Sequence, residues 1–297
     1  MRIQDLLSEF CDYSLYIRGY SKETTRRYKS AFNTFRKDMG ITEIEQVSDE
    51  SIRKFFLHGM TQRKWDPNTF VTYHKSFVVF FRWCVEQHHM KSNPAEDIEL
   101  PKRAKKLPSR LTKHESLRLL EYIYNYPYSD IFLRYRNHAI FSMFIFAGLR
   151  KQELLKLGYA DVDLEGMSIF VRRGKGAKDR IIPICSRLAE SLHKYLKQRS
   201  IRGRTCPEFF SSSTVNVGFS ESGLRHLVRK VKRESEIKFG IHKLRHTFAT
   251  LMLEGGCDIF SLSKMMGHSD IKTTTIYLAA SAEHLRNQIH KHPMNKY

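Results

Sequence analysis

The run from Ile241 to Tyr277 admits few folds. Read as a helix from Ile241, it sets Leu244, Phe248, Leu251 and Met252 at i, i+4, i+7 and i+8, a single apolar face. His242, Arg245 and His246 fall together on another face, because residues three and four apart are neighbours on a helix. Gly255-Gly256 ends that helix and Gly267 ends a second. Ser269 or Asp270 caps a third, which carries Tyr277 in its last turns. A buried stripe thus carries basic donors on its flank. Each residue taken alone has a plainer use: a His-x-x-Arg is most often a surface pair, and a lone Tyr is half-buried packing. His242 and His246 have the spacing of a zinc-binding helix, but Lys243 stands where that motif needs its glutamate.

Charge narrows the partner. The 297 residues include 51 Lys plus Arg against 31 Asp plus Glu, a net charge of +20. Such an excess points to a polyanion, since neutralising phosphates and releasing their counterions drives association. No apolar run reaches the ~18 residues of a spanning helix. The start, Met1-Arg2-Ile3-Gln4-Asp5, has no apolar core of a secretory signal. Five scattered cysteines (Cys11, Cys84, Cys185, Cys206 and Cys257) read as reduced thiols of a cytoplasmic protein.

The first hundred residues read as helices. Ser21 caps one whose Tyr28, Phe32, Phe35 and Met39 form a stripe, with Arg26, Arg27, Lys29, Arg36 and Lys37 opposite. Ser48-Asp49-Glu50 starts another. Asp66-Pro67 is an N-cap with proline at the first helical position. From there Phe70, Tyr73, Phe77, Phe80, Phe81 and Cys84 line one side to about Gln87, and Asn93-Pro94 ends the helix. An aromatic row could stack bases, but helical spacing assigns this one to the core. From Lys102 to Arg118 there are seven Lys or Arg and one acid, Glu115, punctuated by Pro101 and Pro108. A run like this is usually solvated.

Beyond Thr112 a second domain is expected. Ala139 to Ala147 is nearly all apolar, a helix buried on most sides, and Gly148 interrupts it. Arg150 then sits against the hydrophobic centre, where a guanidinium needs an anionic partner; Glu153 at i+3 can supply it. Met167–Val171 and Arg180–Ile184 are short β runs. Gly174-Lys175-Gly176 lies in the turn between them, a place where most lysines are simply solvated. Helices follow at Ser186–Arg199 and Glu221–Glu234, and Ser281–Ile289 can form a last short one.

Three motifs in order carry a family resemblance. They are Gly148-Leu149-Arg150 with Glu153-Leu154, the Gly174-Lys175-Gly176 turn, and His242-Lys243-Leu244-Arg245-His246 followed by Met266-Gly267-His268 and Tyr277 nine residues on. Together they resemble the tyrosine recombinases (the phage-integrase family), most closely the short Xer-like members. The match is strong from about Thr112 to Ala280 and weaker before it. The resemblance implies a mainly α fold with a small β-sheet, a two-domain C-shaped clamp. A helical core-binding domain would occupy residues 1–97, a basic linker 98–111, and an α/β catalytic domain with a C-terminal protomer-exchange segment 112–297. It implies Arg150, Lys175, His242, Arg245, His268 and Tyr277 as the catalytic set, with Lys175 preferred over Lys178, and Glu153 and His246 as supports. DNA contacts are expected from Arg26, Arg27 and Lys29, and from Lys102, Arg103, Lys105 and Lys106 as a strap across phosphates.

The chemistry follows from those residue types. A tyrosine with its pKa of about 10 is a poor nucleophile until a site activates it. Two arginines can grip the non-bridging phosphate oxygens bidentately, as lysine cannot, and fixed donors at developing charge are usually the largest catalytic term. Arg150 and Arg245 are expected in that role with His268 beside them. His242 is the candidate base or a further phosphate donor, and Lys175 the acid for the leaving 5′-oxygen. The product is a 3′-phosphotyrosyl link on Tyr277, reversible without ATP. No metal or other cofactor is expected, since the arginines bring the positive charge and no carboxylate cluster offers a metal site. By resemblance, the partners are a double-stranded recombination site with inverted-repeat arms and three further copies of the chain, exchanging strands through a Holliday junction. A second recombinase or a DNA translocase is left open as a partner, as is the choice among dimer resolution, integration and excision. Two other readings share the fold: a type IB topoisomerase-like nicking–closing enzyme and a non-catalytic DNA-binding regulator.

Overall fold

The computed structural model describes residues 1–102, 108–172, 179–268 and 270–278. Arg103, Lys105, Lys106, Lys175 and the expected helix at 281–289 lie outside them. The chain divides into two compact units, Met1–Lys105 and Lys106–Tyr297.

Among its described residues the first unit has four α-helices: α1 (Ile3–Asp12), α2 (Lys22–Met39), α3 (Asp49–Thr61) and α4 (Pro67–Glu86). Their starts follow the caps in the sequence. Ser21 accepts from the Thr24 amide, Ser48 from Ser51, and Asp66 from Asn68 and Thr69. The aromatic row is core. Phe32, Phe35, Phe55, Phe77, Phe80 and Phe81 are fully buried. Phe32 stacks on Phe77 at 4.5 Å and Phe35 meets Phe55 edge-on at 5.2 Å, arrangements that add about 0.5–1.5 kcal/mol each beyond burial. One expectation is corrected. α4 stops at Glu86, where His88 turns left-handed (φ +59°), and not at Asn93-Pro94. α1 and the π turn it runs into (Tyr13–Ile17) are not among the helices marked from the sequence.

The second unit begins with α5 (Lys113–Asn125), closed by a capping box between Thr112 and Glu115. The last part of the basic run Lys102–Arg118 is therefore helix rather than connector, and Arg110 is paired with Glu254 at 2.7 Å. α6 (Ile131–Phe146) is capped by Asp130 and is buried and nearly all apolar from Ala139 to Ile145. α5, α8 (Ser186–Ile201) and α10 (Ile241–Glu254) surround it. Between them come α7 (Lys151–Lys156), an antiparallel sheet in the order β1 (Val162–Asp163), β2 (Ser168–Val171), β3 (Arg180–Pro183), and α9 (Glu221–Glu234). Ile169 pairs with Ile182 and Val171 with Arg180. The sequence marks β2 and β3 but not the two-residue β1. The chain ends its described course with α11 (Ile259–Met266) and α12 (Lys272–Leu278). Asp270 supplies the cap of α12, accepting from the Lys272 amide at 2.9 Å.

Candidate active site

α6 runs into Gly148, whose φ of +59° lets the chain reverse into α7. A Cβ there would lie 2.3 Å from the ring of Phe248 on α10, so the turn presses directly on that helix. This brings Arg150 to the start of α7 and the Gly148 carbonyl to Arg245, which donates to it at 2.5 Å.

The end of α11 is the second anchor. A helix leaves its last carbonyls without helical partners and carries partial negative charge there. Three successive carbonyls at this end each receive an arginine. Met265 accepts from Arg180 Nε at 2.8 Å, Met266 from Arg245, and Gly267 from Arg150 at 3.1 Å. Gly267, left-handed at φ +62°, ends the helix and leaves room for Arg180, whose Cδ a Cβ would meet at 2.9 Å.

Glu153 ties the three together. Its carboxylate accepts from the Arg150 amide and Arg150 guanidinium, both at 2.7 Å, and from Arg180 at 2.9 and 2.8 Å; Arg245 stands 4.0 Å away. Burial alone would push its pKa up. The bonds and charge of Arg180, aided by Arg150, reverse that and hold it near 2. Three guanidiniums against one carboxylate leave two positive charges. Burial, reinforced by the charge of Arg150, lowers Arg245 to about 10, still protonated at neutral pH.

Tyr277 comes back beside this cluster on α12. It is 2% exposed, packed with Phe248, Ala249, Leu262 and Met266. Burial raises its pKa above the usual phenol value, and the charges of Arg245 and Arg150 pull against that rise. Its hydroxyl lies 2.8 Å from Nδ1 of His246. Burial and then the charges of His242 and Arg245 push His246 below the ordinary imidazole value, which leaves it neutral at pH 7. His242 is exposed one turn earlier on α10, and no hydrogen bond joins it to Tyr277. His268 bonds Thr274 Oγ1 through Nδ1 at 2.8 Å and meets an Arg245 nitrogen through Nε2 at 3.4 Å. Arginine only donates, so Nε2 accepts and Nδ1 carries the proton.

The structure thus brings together Arg150, Arg245, His268 and Tyr277, with Glu153 and His246 in contact with them; Lys175 lies outside the described residues. Two features differ from the sequence reading. His246, rather than His242, touches the tyrosine hydroxyl, because the spacing of α12 against α10 selects the histidine one turn on. Arg180 joins the cluster although nothing marks it in the sequence beyond its place at the start of a β run. Of the expected DNA contacts, Arg26, Arg27, Lys29 and Lys102 are exposed. Arg26 pairs with Glu23 and Arg27 lies over Tyr28. Arg36, on the same basic face, turns instead to Gln4 at 2.8 Å. Among the described residues no helix is long and apolar enough to cross a membrane.

This chain belongs to the phage integrase family, whose model matches residues 109–284; a model of the phage-integrase N-terminal SAM-like domain matches residues 6–90. It is a site-specific tyrosine recombinase of the Xer-like kind. It is 30% identical over 303 residues to tyrosine recombinase XerC of Thermodesulfovibrio yellowstonii, covering 99% of this chain and 98% of that one. It is 32% identical over 289 residues to tyrosine recombinase XerA of Pyrococcus horikoshii, covering 97% and 93%. Its fold is that of the XerH site-specific recombinase in a post-cleavage complex with a palindromic difH substrate, at a TM-score of 0.75 and 20% identity over 96% of this chain and 83% of that one.

Proposed function

We propose that the chain cuts and rejoins DNA strands through a 3′-phosphotyrosyl bond on Tyr277, with Arg150 and Arg245 holding the scissile phosphate. The observation that carries this reading is the excess of positive charge fixed beside a phenol. A guanidinium has five donors, and carbonyls at the end of α11 and Glu153 fix the planes of both while leaving donors to spare. The phosphate oxygens take up the two unbalanced charges as phosphorus becomes five-coordinate. Tyr277 passes its proton to His246, which is neutral and already in contact. His242 then serves as a donor to the phosphate, and His268 does so once phosphate displaces Arg245 from Nε2 and the ring changes tautomer, its proton moving from Nδ1 to Nε2 while the Thr274 hydroxyl turns to donate to Nδ1. Lys175 protonates the departing 5′-oxygen. Arg180 and Glu153 act as positioning residues, setting the arginines before substrate arrives.

Strand exchange follows from reversibility. The phosphotyrosyl bond keeps the energy of the broken phosphodiester, so a 5′-hydroxyl from a second duplex can reverse the step. We assign the reaction to four protomers on two duplexes, working through a Holliday junction at a site with inverted-repeat arms, on DNA in the cytoplasm. Arg26, Arg27, Lys29 and the 102–106 stretch provide phosphate contacts outside the site, and residues 1–97 and 112–297 the two DNA-holding domains.

The test is a plasmid library carrying fragments of the source genome, incubated with the protein in EDTA without ATP. Recombinants that share an inverted repeat are expected. Relaxation of supercoils without any site preference would place the protein with type IB topoisomerase-like enzymes instead.

A further inference from the structure

A cavity of about 500 Å3 opens on the second unit, walled by α5, the first turns of α6, α9 and the loop over residues 212–220. Arg136 on α6 lines this cavity, and Gly148 lies just beyond the end of the same helix. At about 1.5 Å per residue the two are separated by roughly 18 Å. The cavity is therefore remote from the cluster around Arg150.

Its lining has a defined chemistry. Tyr122, Tyr126 and Tyr128 form a row, with ring centroids 5.9 and 4.7 Å apart. Arg136 is 5% exposed and lies 4.4 Å from the ring of Phe219. It donates only to neutral oxygens: Asn137 Oδ1 at 3.2 and 3.1 Å and the Ser211 carbonyl at 3.3 Å. Among the described residues no carboxylate lies within ion-pair distance of it. A buried guanidinium without an acid is costly to keep. Lys230 adds a second cation, 4.4 Å over the ring of Tyr126. Glu234 is the one acid in the lining, and it is engaged by Arg233 at 2.8 Å and the Tyr122 hydroxyl at 3.3 Å.

We propose that this cavity receives a carboxylate side chain, Asp or Glu, from a peptide segment of a partner protein, with an apolar residue beside it on the rim. The carboxylate supplies the anion that Arg136 lacks, flanked by Lys230 and the tyrosine rings. The rim argues for a segment rather than a small molecule: Val215 and Val217 are each 53% exposed beside the opening, and an extended chain would cover them. Nucleic acid fits less well, because a guanidinium this deeply buried is out of reach of a backbone phosphate, whereas a side-chain carboxylate can enter.

The probe is a panel of acetylated tetrapeptides with Asp or Glu at each position beside Phe or Leu, together with their Asn and Gln isosteres. Binding to the full chain is read from methyl NMR of Val215 and Val217. At least one acidic peptide should shift both valines and bind about tenfold or more tighter than its amide isostere. Arg136→Met should remove that preference. Should that variant fail to fold, Lys230→Gln and Tyr126→Ala on the rim should each weaken the same peptide. Equal binding of acid and amide, no valine shift with any peptide, or displacement of the peptide by duplex DNA would each overturn the proposal.

Discussion

The hydroxyl of Tyr277 on α12 and Nδ1 of His246 on α10 stand 2.8 Å apart, with their rings tilted by 50°. Burial and like charge keep this histidine neutral, which gives the pair a pH signature. The folded pKa lies below the unfolded value of about 6.5, so the unfolded chain takes up the proton first. Stability that rests on neutral His246 is complete above that value and is lost as pH falls through the window beneath it. The stability gap between wild type and His246→Gln, read from urea midpoints, should narrow as pH drops from about 7 to about 5. A gap that stays constant would show that His246 does not titrate in this way.

Glu153 gives the opposite chemical case with the same sign. Its folded value near 2 lies below the ordinary carboxylate range. Its contribution is present above the unfolded pKa of about 4.3 and is lost as pH falls toward 2. Glu153→Gln leaves buried guanidiniums unbalanced and should cost on the order of 3 kcal/mol at neutral pH. Chemical denaturation at pH 7 and pH 3 checks this: the cost should be smaller at the acid end.

Arg180 is the anchor that Lys cannot replace. It holds both Glu153 oxygens and the Met265 carbonyl with three nitrogens, a geometry that an ammonium lacks. Arg180→Lys should slow covalent adduct formation by about tenfold or more while changing duplex affinity little. Equal losses in both would make Arg180 a DNA contact instead.

Gly148 and Gly203 separate strain from crowding. Both have positive φ, +59° and +60°, but a Cβ at Gly148 meets Phe248 whereas one at Gly203 meets nothing within 4 Å. Gly203→Ala should cost about 1 kcal/mol from the backbone alone. Gly148→Ala should cost about 2–4 kcal/mol, and should lower adduct formation because the same turn feeds Arg245. Thermal unfolding of the two variants gives the comparison.

Much of this architecture is legible in the sequence because local signals agree with the tertiary outcome. Ser21, Ser48 and Asp66 cap helices where their residue types place them, and the Phe70–Cys84 row packs inward as its spacing demands. Glu153 was readable from its i+3 spacing to Arg150. What escapes is set by contacts between distant segments. Arg180 meets Glu153 across 27 residues and Met265 across 85, and no local pattern reports either. The choice of His246 over His242 depends on how α12 lies on α10. The early end of α4 turns on one left-handed His88, a residue type that tolerates that conformation without announcing it.

The central claim is that Tyr277 attacks the phosphate. Wild type and Tyr277→Phe are incubated with fragmented DNA of the source cell, with and without cell extract. Non-covalent complexes are stripped with detergent, and the DNA that stays attached is sequenced. Adducts are expected from wild type alone, sharing an inverted repeat, while Tyr277→Phe binds duplex as tightly as before. Adducts from Tyr277→Phe, or none from wild type even with extract despite tight salt-dependent binding, would contradict it.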